Sequence, residues 1–268
     1  MKSGVMKKIF LFIGCVVSAG IAMAQDSTVT MKSKKEQKRE RIQAIIKQEE
    51  EGVIKYTKHF IAGGKLTNDG YGGFLEMGRV RSIRAAWLYQ LEITERKHPK
   101  EEKLQNDYST TAPVIYGKIN FFYPVKLGLQ YQRLLGNKGY KNGVAVSANI
   151  GGGVSMAILR PYLVQVDKGN NRYEFVGYNS PDSNYFLNGP IIGGPGLGKG
   201  WGGMTVEPGL YGKAGARFDY GKYNEMVNAI EIGATYEYYF NRIQQMIEVK
   251  QYRWFAGVYV GLLFGKRK

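Results

Sequence analysis

The chain has 268 residues and a formal net charge of +16, with 38 Lys and Arg against 22 Asp and Glu. A single cysteine and two histidines argue against a disulfide framework and against a metal site built on these residues. A basic balance usually points first to nucleic acid, but the export signal described next favours acidic lipid head groups or acidic partners instead. We therefore expect no cofactor, no metal and no nucleic-acid partner.

The amino terminus has the pattern of a secretory signal peptide. Two lysines precede an apolar run over residues 9–21, and small residues in the motif 22–24 form a cleavage site. The run is shorter than the roughly 20 residues that a membrane-spanning helix needs. A lipobox ending at Cys15 is the alternative, but it would leave a very short apolar core. We predict a signal peptide over residues 1–24 and export to the cell envelope.

Residues 25–55 are charged and differ from the rest of the chain. Cations concentrate in residues 32–41, and three glutamates follow at 49–51. This order opposes the helix dipole, so the sparse isoleucine stripe between them indicates only a marginal helix. The segment is predicted to be a periplasmic tail, either solvated or docked on a partner.

From residue 56 onward the sequence divides into eight stretches of alternating polarity. Asn68-Asp69-Gly70 is typical of a hairpin turn between the first two. An even number of strands places both termini on one side. The fifth stretch has an alternative, in which its end pairs with residues 172–178 as an extra hairpin. The predicted strands are 57–67, 71–80, 83–96, 123–135, 143–167, 205–221, 226–240 and 252–265.

The lengths of the connections predict an orientation. Outer-membrane barrels keep short turns in the periplasm and long loops outside. Here short and long connections alternate, except at the Asp69-Gly70 turn, and both termini are predicted to be periplasmic. The short connections lie around Arg81, Lys138 and Tyr223, and the long ones are 97–122, 168–204 and 241–251.

The last predicted strand shows most clearly how the two faces differ. From Tyr252 to Phe264, one set of alternate side chains is apolar throughout, and the other contains glycine, arginine and tyrosine. Successive side chains of a strand point to opposite faces, so this pattern favours a strand that faces lipid. The residues that parity places on the lipid side are Leu75, Met77, Trp87, Tyr89, Leu91, Leu127, Leu129, Val144, Val146, Ile150, Leu210, Phe218, Ile230, Ile232, Tyr236 and Val260.

The opposite faces carry charges of both signs. Unpaired charge inside a narrow barrel is costly, so these residues are predicted to pair with one another across the lumen. An eight-stranded barrel is only wide enough to be filled by side chains, which argues against a wide pore. The predicted lumen network is Glu76, Arg84, Glu92, Lys126, Glu207, Lys213, Arg217, Glu231 and Glu237, with Lys65, Arg96 and Asp219 as further members.

These observations predict an all-β fold, an eight-stranded antiparallel transmembrane β-barrel over residues 56–268. A soluble lipocalin-like barrel is the alternative, with the apolar face inside. Paired charges and small residues suit a crowded lumen, and aromatic residues near strand ends suit interfacial girdles, which favours the membrane barrel. The predicted girdle residues are Trp87, Tyr238, Tyr239, Tyr252 and Trp254.

Three segments carry a resemblance to a known family. The run 66–72 (LTNDGYG), the run 97–101 (KHPKE) and the ending 261–267 (GLLFGKR) resemble little-characterised outer-membrane β-barrel proteins of Bacteroidota-type bacteria. The resemblance implies residence in the outer membrane and brings no catalytic residues. The short first outer turn departs from barrels with four long loops.

Candidate sites are few. His98 with Ser109 and Glu101 or Glu102 has the residue types of a lipid-modifying hydrolase, but a solvated loop is the simpler interpretation. The glycine-rich segment 193–200 lacks the Ser or Thr and the flanking elements of a phosphate-binding loop. We therefore predict no catalytic residues. The residues predicted to contact lipid phosphates are Arg96, Lys97, Lys100 and Lys103.

The sequence as a whole predicts an outer-membrane β-barrel with a structural or protein-interaction role, such as an accessory subunit of an envelope assembly or secretion complex. Expected partners are outer-membrane lipids, including lipopolysaccharide, and an envelope protein that binds the tail or the long loops. The alternatives are a lipid A-modifying enzyme and a narrow channel.

Overall fold

The computed structural model describes residues 57–82, 84–104, 113–138, 143–170, 172–196, 198–221 and 225–268. The predicted signal peptide, the charged tail and Ser109 lie outside the described residues. Within the described part of the chain, helices are too short or too polar to cross a membrane.

Strands dominate the described residues, with one short helix. They are β1 (Lys58–Thr67), β2 (Gly70–Ser82), β3 (Ala85–Arg96), β4 (Lys103–Leu104), β5 (Val114–Ile115), β6 (Asn120–Gly136), β7 (Ala145–Pro161), β8 (Leu163–Asp167), β9 (Tyr173–Gly177), α1 (Ser183–Asn188), β10 (Ile191–Gly193), β11 (Thr205–Asp219), β12 (Met226–Ile243) and β13 (Tyr252–Arg267). A 3-10 turn, Trp201–Gly203, precedes β11.

Eight of these strands close into a barrel in the order β1-β13-β12-β11-β7-β6-β3-β2. Every neighbouring pair is antiparallel, and β1 closes the barrel on β13 over nine residue pairs from His59↔Arg267 to Thr67↔Tyr259. The predicted eight-stranded antiparallel fold is therefore confirmed.

One predicted strand ends earlier than expected. The stretch 143–167 was predicted as a single strand, but β7 ends at Pro161 and the chain then leaves the barrel. The backbone N–H of Tyr162 still donates to the carbonyl of Ile119, the next residue in the β6–β7 register, but the N–H of Ile119 donates to the carbonyl of Gln245, so the ladder ends there. Residues 163–167 become β8, which pairs with β9 and β10 in a separate three-stranded sheet. The alternative hairpin with residues 172–178 is the one that forms.

Side chains alternate strictly between the outside and the inside of the barrel. All the residues that parity assigned to the lipid side are exposed or half-buried, whereas Glu76, Lys126 and Glu231 are buried. The outward residues of β13 from Trp254 to Phe264 are uncharged. With about 3.3 Å per residue and a strand tilt of about 40°, these residues form an apolar band roughly 25 Å high.

The two ends of the barrel differ. The short-turn end carries the described residues of the β2–β3, β6–β7 and β11–β12 connections together with the start of β1 and the end of β13. The long-loop end carries the turn at residues 68–69 and the described residues of the β3–β6, β7–β11 and β12–β13 connections. The connections therefore alternate as the sequence predicted.

The long-loop end has a small core of its own outside the barrel. The hydroxyl of Tyr162 accepts a hydrogen bond from the backbone N–H of Ile115 at 2.8 Å, which ties β5 to the β8 sheet. Apolar burial of this kind stabilises one ordered conformation of these connections. The buried members of this core are Ile115, Tyr162, Val164, Val166, Val176 and Phe186.

Two apolar clusters also lie inside the barrel. The one nearer the short-turn end consists of Ile61, Phe74, Val227, Ala229 and Leu263. The one nearer the long-loop end consists of Phe122, Ala157, Leu159, Tyr239 and Ile243. Tyr239 was predicted to be an interfacial girdle residue, which is wrong: its odd position on β12 turns the ring inward, where it is completely buried.

Candidate functional site

The centre of the lumen is an arginine held between two glutamates. Arg217 on β11 donates to both oxygens of Glu76 on β2 at 2.7 Å, a bidentate pair across the barrel. Its Nε also donates to Glu231 on β12 at 2.8 Å. All three side chains are at most 4% exposed. A guanidinium presents the planar fork of donors that two carboxylates need, which a lysine could not supply.

Three lysines and two more glutamates extend this cluster toward the long-loop end. Lys126 bridges Glu92 at 2.9 Å and Glu237 at 2.7 Å. Lys65 also lies 2.8 Å from Glu92. Lys213 lies 2.8 Å from Glu231, which joins this layer to the arginine below it.

Arg96 completes the network at the long-loop end. Its Nε lies 2.6 Å from Asp69 in the first turn, and its Nη1 lies 3.2 Å from Glu237. The side chain is 4% exposed. The prediction that Arg96 contacts lipid phosphate is therefore wrong, because even-numbered residues of β3 face the lumen.

The network balances its charges among the described residues. Its cations are Lys65, Arg96, Lys126, Lys213 and Arg217, and its anions are Asp69, Glu76, Glu92, Glu231 and Glu237. Taking single charges out of water costs several kcal/mol each, about as much as close pairing returns. A polar lumen of this kind can be buried only if its charges sum to zero and are closely paired.

Three predicted members lie outside this network. Asp219 is buried at the short-turn end, where it pairs with Arg267 and Lys138. Arg84 is exposed in the short turn between β2 and β3, which the pair Ser82 and Ala85 closes. Glu207 is half-buried near the start of β11 and accepts a hydrogen bond from the side-chain amide of Asn241 at 2.6 Å. The assignments of Arg84 and Glu207 to the lumen network are wrong, because both residues lie at or beyond the ends of the barrel strands.

Aromatic hydroxyls supply the contacts that sequence reasoning missed. Tyr259 donates to Glu231 at 2.7 Å, and Tyr239 donates to Glu237 at 2.7 Å. A Cβ on Gly215 would lie 2.7 Å from the Tyr259 hydroxyl, so this ring needs the glycine opposite it. The signal available in the sequence was a tyrosine at an inward-facing position, with glycines at inward-facing positions of nearby strands.

The lumen leaves little free space. A cavity of about 60 Å³ opens at the short-turn end, lined among others by His59, Gln132 and Asp219. Next to it, Arg267 pairs with Asp219, and Lys138 lies 3.5 Å from the same carboxylate. A cavity of this size holds water molecules but not a solute, because the network and the two apolar clusters fill the rest of the described lumen.

His98 lies at the long-loop end, where it forms hydrogen bonds with residues of its own loop. Its Nδ1 accepts a hydrogen bond from the backbone N–H of Lys100 at 3.2 Å. Glu101 accepts from the backbone N–H of His98 and pairs with Lys118 at 2.7 Å. Partial burial lowers the pKa of the His98 imidazole, while the Glu101 carboxylate acts in the opposite direction. This arrangement orders the loop but shows no activated nucleophile among the described residues.

The glycine-rich segment 193–200 leads into Trp201, whose ring packs against an aromatic ring and a guanidinium of the barrel strands. Gly200 has a left-handed φ of 92°, which sets up the turn that begins at Trp201. Trp201 stacks on Tyr123 at 6.0 Å between ring centroids, and the guanidinium of Arg160 lies 4.8 Å from the Trp201 ring. Trp201 thus packs against the outer wall of β6 and β7 and does not cover the barrel mouth.

Three of the predicted lipid-phosphate contacts remain available at the long-loop end. Lys97, Lys100 and Lys103 are exposed, and the amine of Lys97 lies 5.3 Å from the Tyr71 ring. Within the described residues, no group of three or more His, Cys, Asp or Glu side chains is arranged to hold a metal ion.

No protein-family model matches this chain, and curated proteins show no significant sequence similarity to it. Among solved structures, Neisserial surface protein A is 9% identical, with 80% of this chain and 96% of that chain covered and a TM-score of 0.38. Ail, the attachment invasion locus protein of Yersinia pestis, is 11% identical, with 80% and 100% covered and a TM-score of 0.38. The N-terminal β-barrel domain of Pseudomonas aeruginosa OprF is 12% identical, with 78% and 98% covered and a TM-score of 0.31.

These neighbours are outer-membrane β-barrel proteins. Their TM-scores are low, so the barrel assignment rests on the strand pairing of this chain itself.

Proposed function

We propose that this protein is an outer-membrane β-barrel that acts as a closed scaffold and presents its long-loop end to another envelope component. It belongs in this view with the little-characterised outer-membrane barrels of Bacteroidota-type bacteria and serves as an accessory subunit of an envelope assembly or secretion complex. The observation that carries the proposal is an apolar exterior around a lumen filled by paired charges.

The exterior supports a membrane location. Large apolar side chains such as Ile150 and Val258 are 64% and 63% exposed, and they continue around the wall as a band without charges. Such a surface is unfavourable in water and matches the roughly 25 Å apolar band of a transmembrane barrel. Aromatic pairs flank it, Trp87 with Tyr131 near the short-turn end and Tyr252 with Trp254 near the long-loop end.

The usual placement of short turns gives the orientation. Short turns lie in the periplasm, so the short-turn end and both termini are periplasmic and the long-loop end faces outward. Protease added to intact cells should then cut at the long-loop end and leave an epitope at the carboxyl terminus protected. Cleavage of the carboxyl-terminal epitope in intact cells would reverse the orientation.

The filled lumen supports a scaffold and not a channel. Ions crossing the barrel would have to pass the Arg217 cluster and the aromatic rings of Phe122 and Tyr239, all buried. The test is conductance in planar bilayers with protein whose folding is checked by its heat-dependent electrophoretic mobility. We expect no conductance above that of the lipid. Steady single-channel openings that disappear when Arg217 or Lys126 is replaced would refute the closed lumen.

The long-loop end supports an interaction role. It is ordered by its own apolar core, yet it exposes large apolar side chains to solvent, among them Leu104 (57%), Tyr116 (63%), Tyr173 (51%) and Leu187 (38%). An ordered surface with several exposed apolar residues is typical of a protein interface. The predicted partner of the long loops is therefore best sought there.

The interaction is tested by affinity purification of the tagged full chain from outer membranes in mild detergent, followed by sizing and mass spectrometry. We expect a stoichiometric envelope protein, lost in Tyr116→Ser/Leu187→Ser. The matched control is Tyr236→Ser, which removes an exposed aromatic residue from the barrel wall. A monomeric protein with only lipid attached would refute the subunit role.

The exposed lysines of the long-loop end are proposed to contact lipid A phosphates, in the role predicted for Lys97, Lys100 and Lys103. Replacing all three by Gln should reduce co-purified lipopolysaccharide, and unchanged lipopolysaccharide would remove this assignment. The enzyme alternative is tested by His98→Gln, which should leave the lipid A composition unchanged if the protein is a scaffold.

A further inference from the structure

The outer wall of the barrel carries a patch of cations at the short-turn end. Its members come from β13, β1, β2 and β6, which lie in the neighbouring strands β13-β1-β2-β3-β6 of the barrel. In the apolar band above the patch, the outward side chains of these strands are apolar. The basic rim patch consists of Lys58, Arg79, Arg81, Arg133 and Lys266, all exposed.

The patch brings like charges together. Lys58 on β1 lies directly opposite Arg79 on β2 in the strand register. Like charges opposite one another on the same face of a sheet are destabilising. Among the described residues, none of these five cations forms an ion pair with a carboxylate, so the repulsion is not offset within the described part of the chain.

Among the described residues, the same rim exposes no lysine or arginine at β7, β11 and β12. At the short-turn ends of these three strands, the exposed described residues are Val144, Tyr220, Glu225 and Met226. The described cations are therefore gathered on one side of the barrel.

Aromatic residues fix the height of the patch on the wall. Trp87 lies opposite Arg79 on one side and opposite Tyr131 on the other, and the two rings meet at 5.4 Å. Arg133 is the next outward residue beyond Tyr131 on β6. Tryptophan and tyrosine concentrate at the level of lipid head groups, so the arginines beside them lie at the phosphates.

We propose that the basic rim patch binds the anionic head groups of glycerophospholipids in the membrane leaflet at the short-turn end. This inference rests on the proposed membrane location. A guanidinium binds a phosphodiester through two parallel hydrogen bonds, and lipids already occupy the space beside the apolar wall. The patch thus holds a few acidic lipids on one side of the barrel and anchors the protein at a set depth and rotation.

The test uses folded full-length protein in vesicles of phosphatidylcholine with a minority of phosphatidylglycerol. The lipids that stay with the protein after polymer extraction are measured by mass spectrometry. The patch variant is R79Q/R81Q/R133Q/K266Q. The matched control is R172Q/K199Q/R242Q/K250Q, which removes four exposed cations from the long-loop end that are not among the proposed lipid A contacts. Each Lys or Arg near an acidic surface strengthens binding about fivefold, so we expect the patch variant to lose at least about tenfold in phosphatidylglycerol affinity.

The control should keep the phosphatidylglycerol enrichment of the unchanged protein, and salt should weaken that enrichment because it screens exposed charges. Equal enrichment in all three proteins, or none in the unchanged protein, would overturn the inference. If the fourfold variant does not fold, R79Q/R81Q and R133Q/K266Q are measured separately, each with a partial loss expected. A chain that fails to insert into vesicles refutes the proposed function, whereas an inserted barrel without lipid preference refutes only the patch.

Discussion

Replacing Arg217 by methionine should lower the stability of the barrel more than most other single changes in the lumen. The substitution keeps most of the volume and leaves Glu76 and Glu231 without the guanidinium that lies 2.7–2.8 Å from both. Glu231 keeps Lys213 at 2.8 Å and the Tyr259 hydroxyl at 2.7 Å, whereas Glu76 keeps only His59 at 3.2 Å among the contacts described. Most of the cost therefore falls on Glu76.

The size of the effect follows from this geometry. Removing one partner of a buried ion pair costs about 3–5 kcal/mol, because the other charge stays buried without compensation. Adding Glu76→Gln to Arg217→Met restores the charge balance of the lumen and should recover most of that loss. Arg217→Lys should fall between the two, because a lysine keeps the charge but cannot bind two carboxylates through a planar fork.

The measurement is equilibrium unfolding in urea from lipid vesicles, followed by the fluorescence of Trp87 and Trp254 as they leave the outer wall. We expect the order unchanged protein, then the double variant, then Arg217→Met. An Arg217→Met protein within about 1 kcal/mol of the unchanged protein would refute the reasoning, as would a double variant less stable than the single one, because both outcomes would mean that Glu76 is not buried as a lone charge.

Three further predictions concern the wall, the lumen and the outer loop. Ile232→Arg places a charge in the apolar band and should lower the free energy of unfolding by about 2–4 kcal/mol in the urea assay. Binding by the long loops of the folded protein should not change. Gly215→Val puts a side chain where the Tyr259 hydroxyl lies and should cost about 1–3 kcal/mol in the same urea assay. For His98, the folded pKa is lowered, so the loop loses stability as pH falls below the ordinary value of 6.5. Proton NMR should show His98 titrating below that value, and lower still in Glu101→Gln, because Glu101 raises its pKa; an unchanged pKa would contradict the contact.

The sequence predicted which residues face each side of the wall, because a strand has a period of two that survives any error in its exact ends. The ends themselves were less predictable. β7 ends after Pro161, where the N–H of Ile119 donates to Gln245 and the Tyr162 hydroxyl accepts a hydrogen bond from Ile115, contacts with distant parts of the chain that no local pattern shows. The mistaken lumen assignments of Arg84 and Glu207 have the same cause, since both lie where the strand ends were uncertain.

The sequence predicted that these charges lie in the lumen, but it could not predict which of them pair. Arg217 meets Glu76 across 141 positions of the chain, and that meeting depends on how the closed barrel tilts and staggers its strands. Because the pairing could not be predicted, Arg96 was assigned two roles, one in the lumen network and one at the lipid phosphates. Parity favoured the lumen, and the contacts with Asp69 and Glu237 agree with it.

The buried network gives the barrel one register. A slip of one residue between two strands would turn Glu76 or Lys126 into the lipid and an apolar neighbour into the lumen, since side chains alternate faces. Each misplaced charge costs a few kcal/mol, while the apolar wall by itself would tolerate many registers equally well. The scaffold role proposed above, which needs the long-loop end held in a fixed geometry, would therefore benefit from a charged lumen even where an apolar one would be as stable, because the lumen fixes the register on which that end is built.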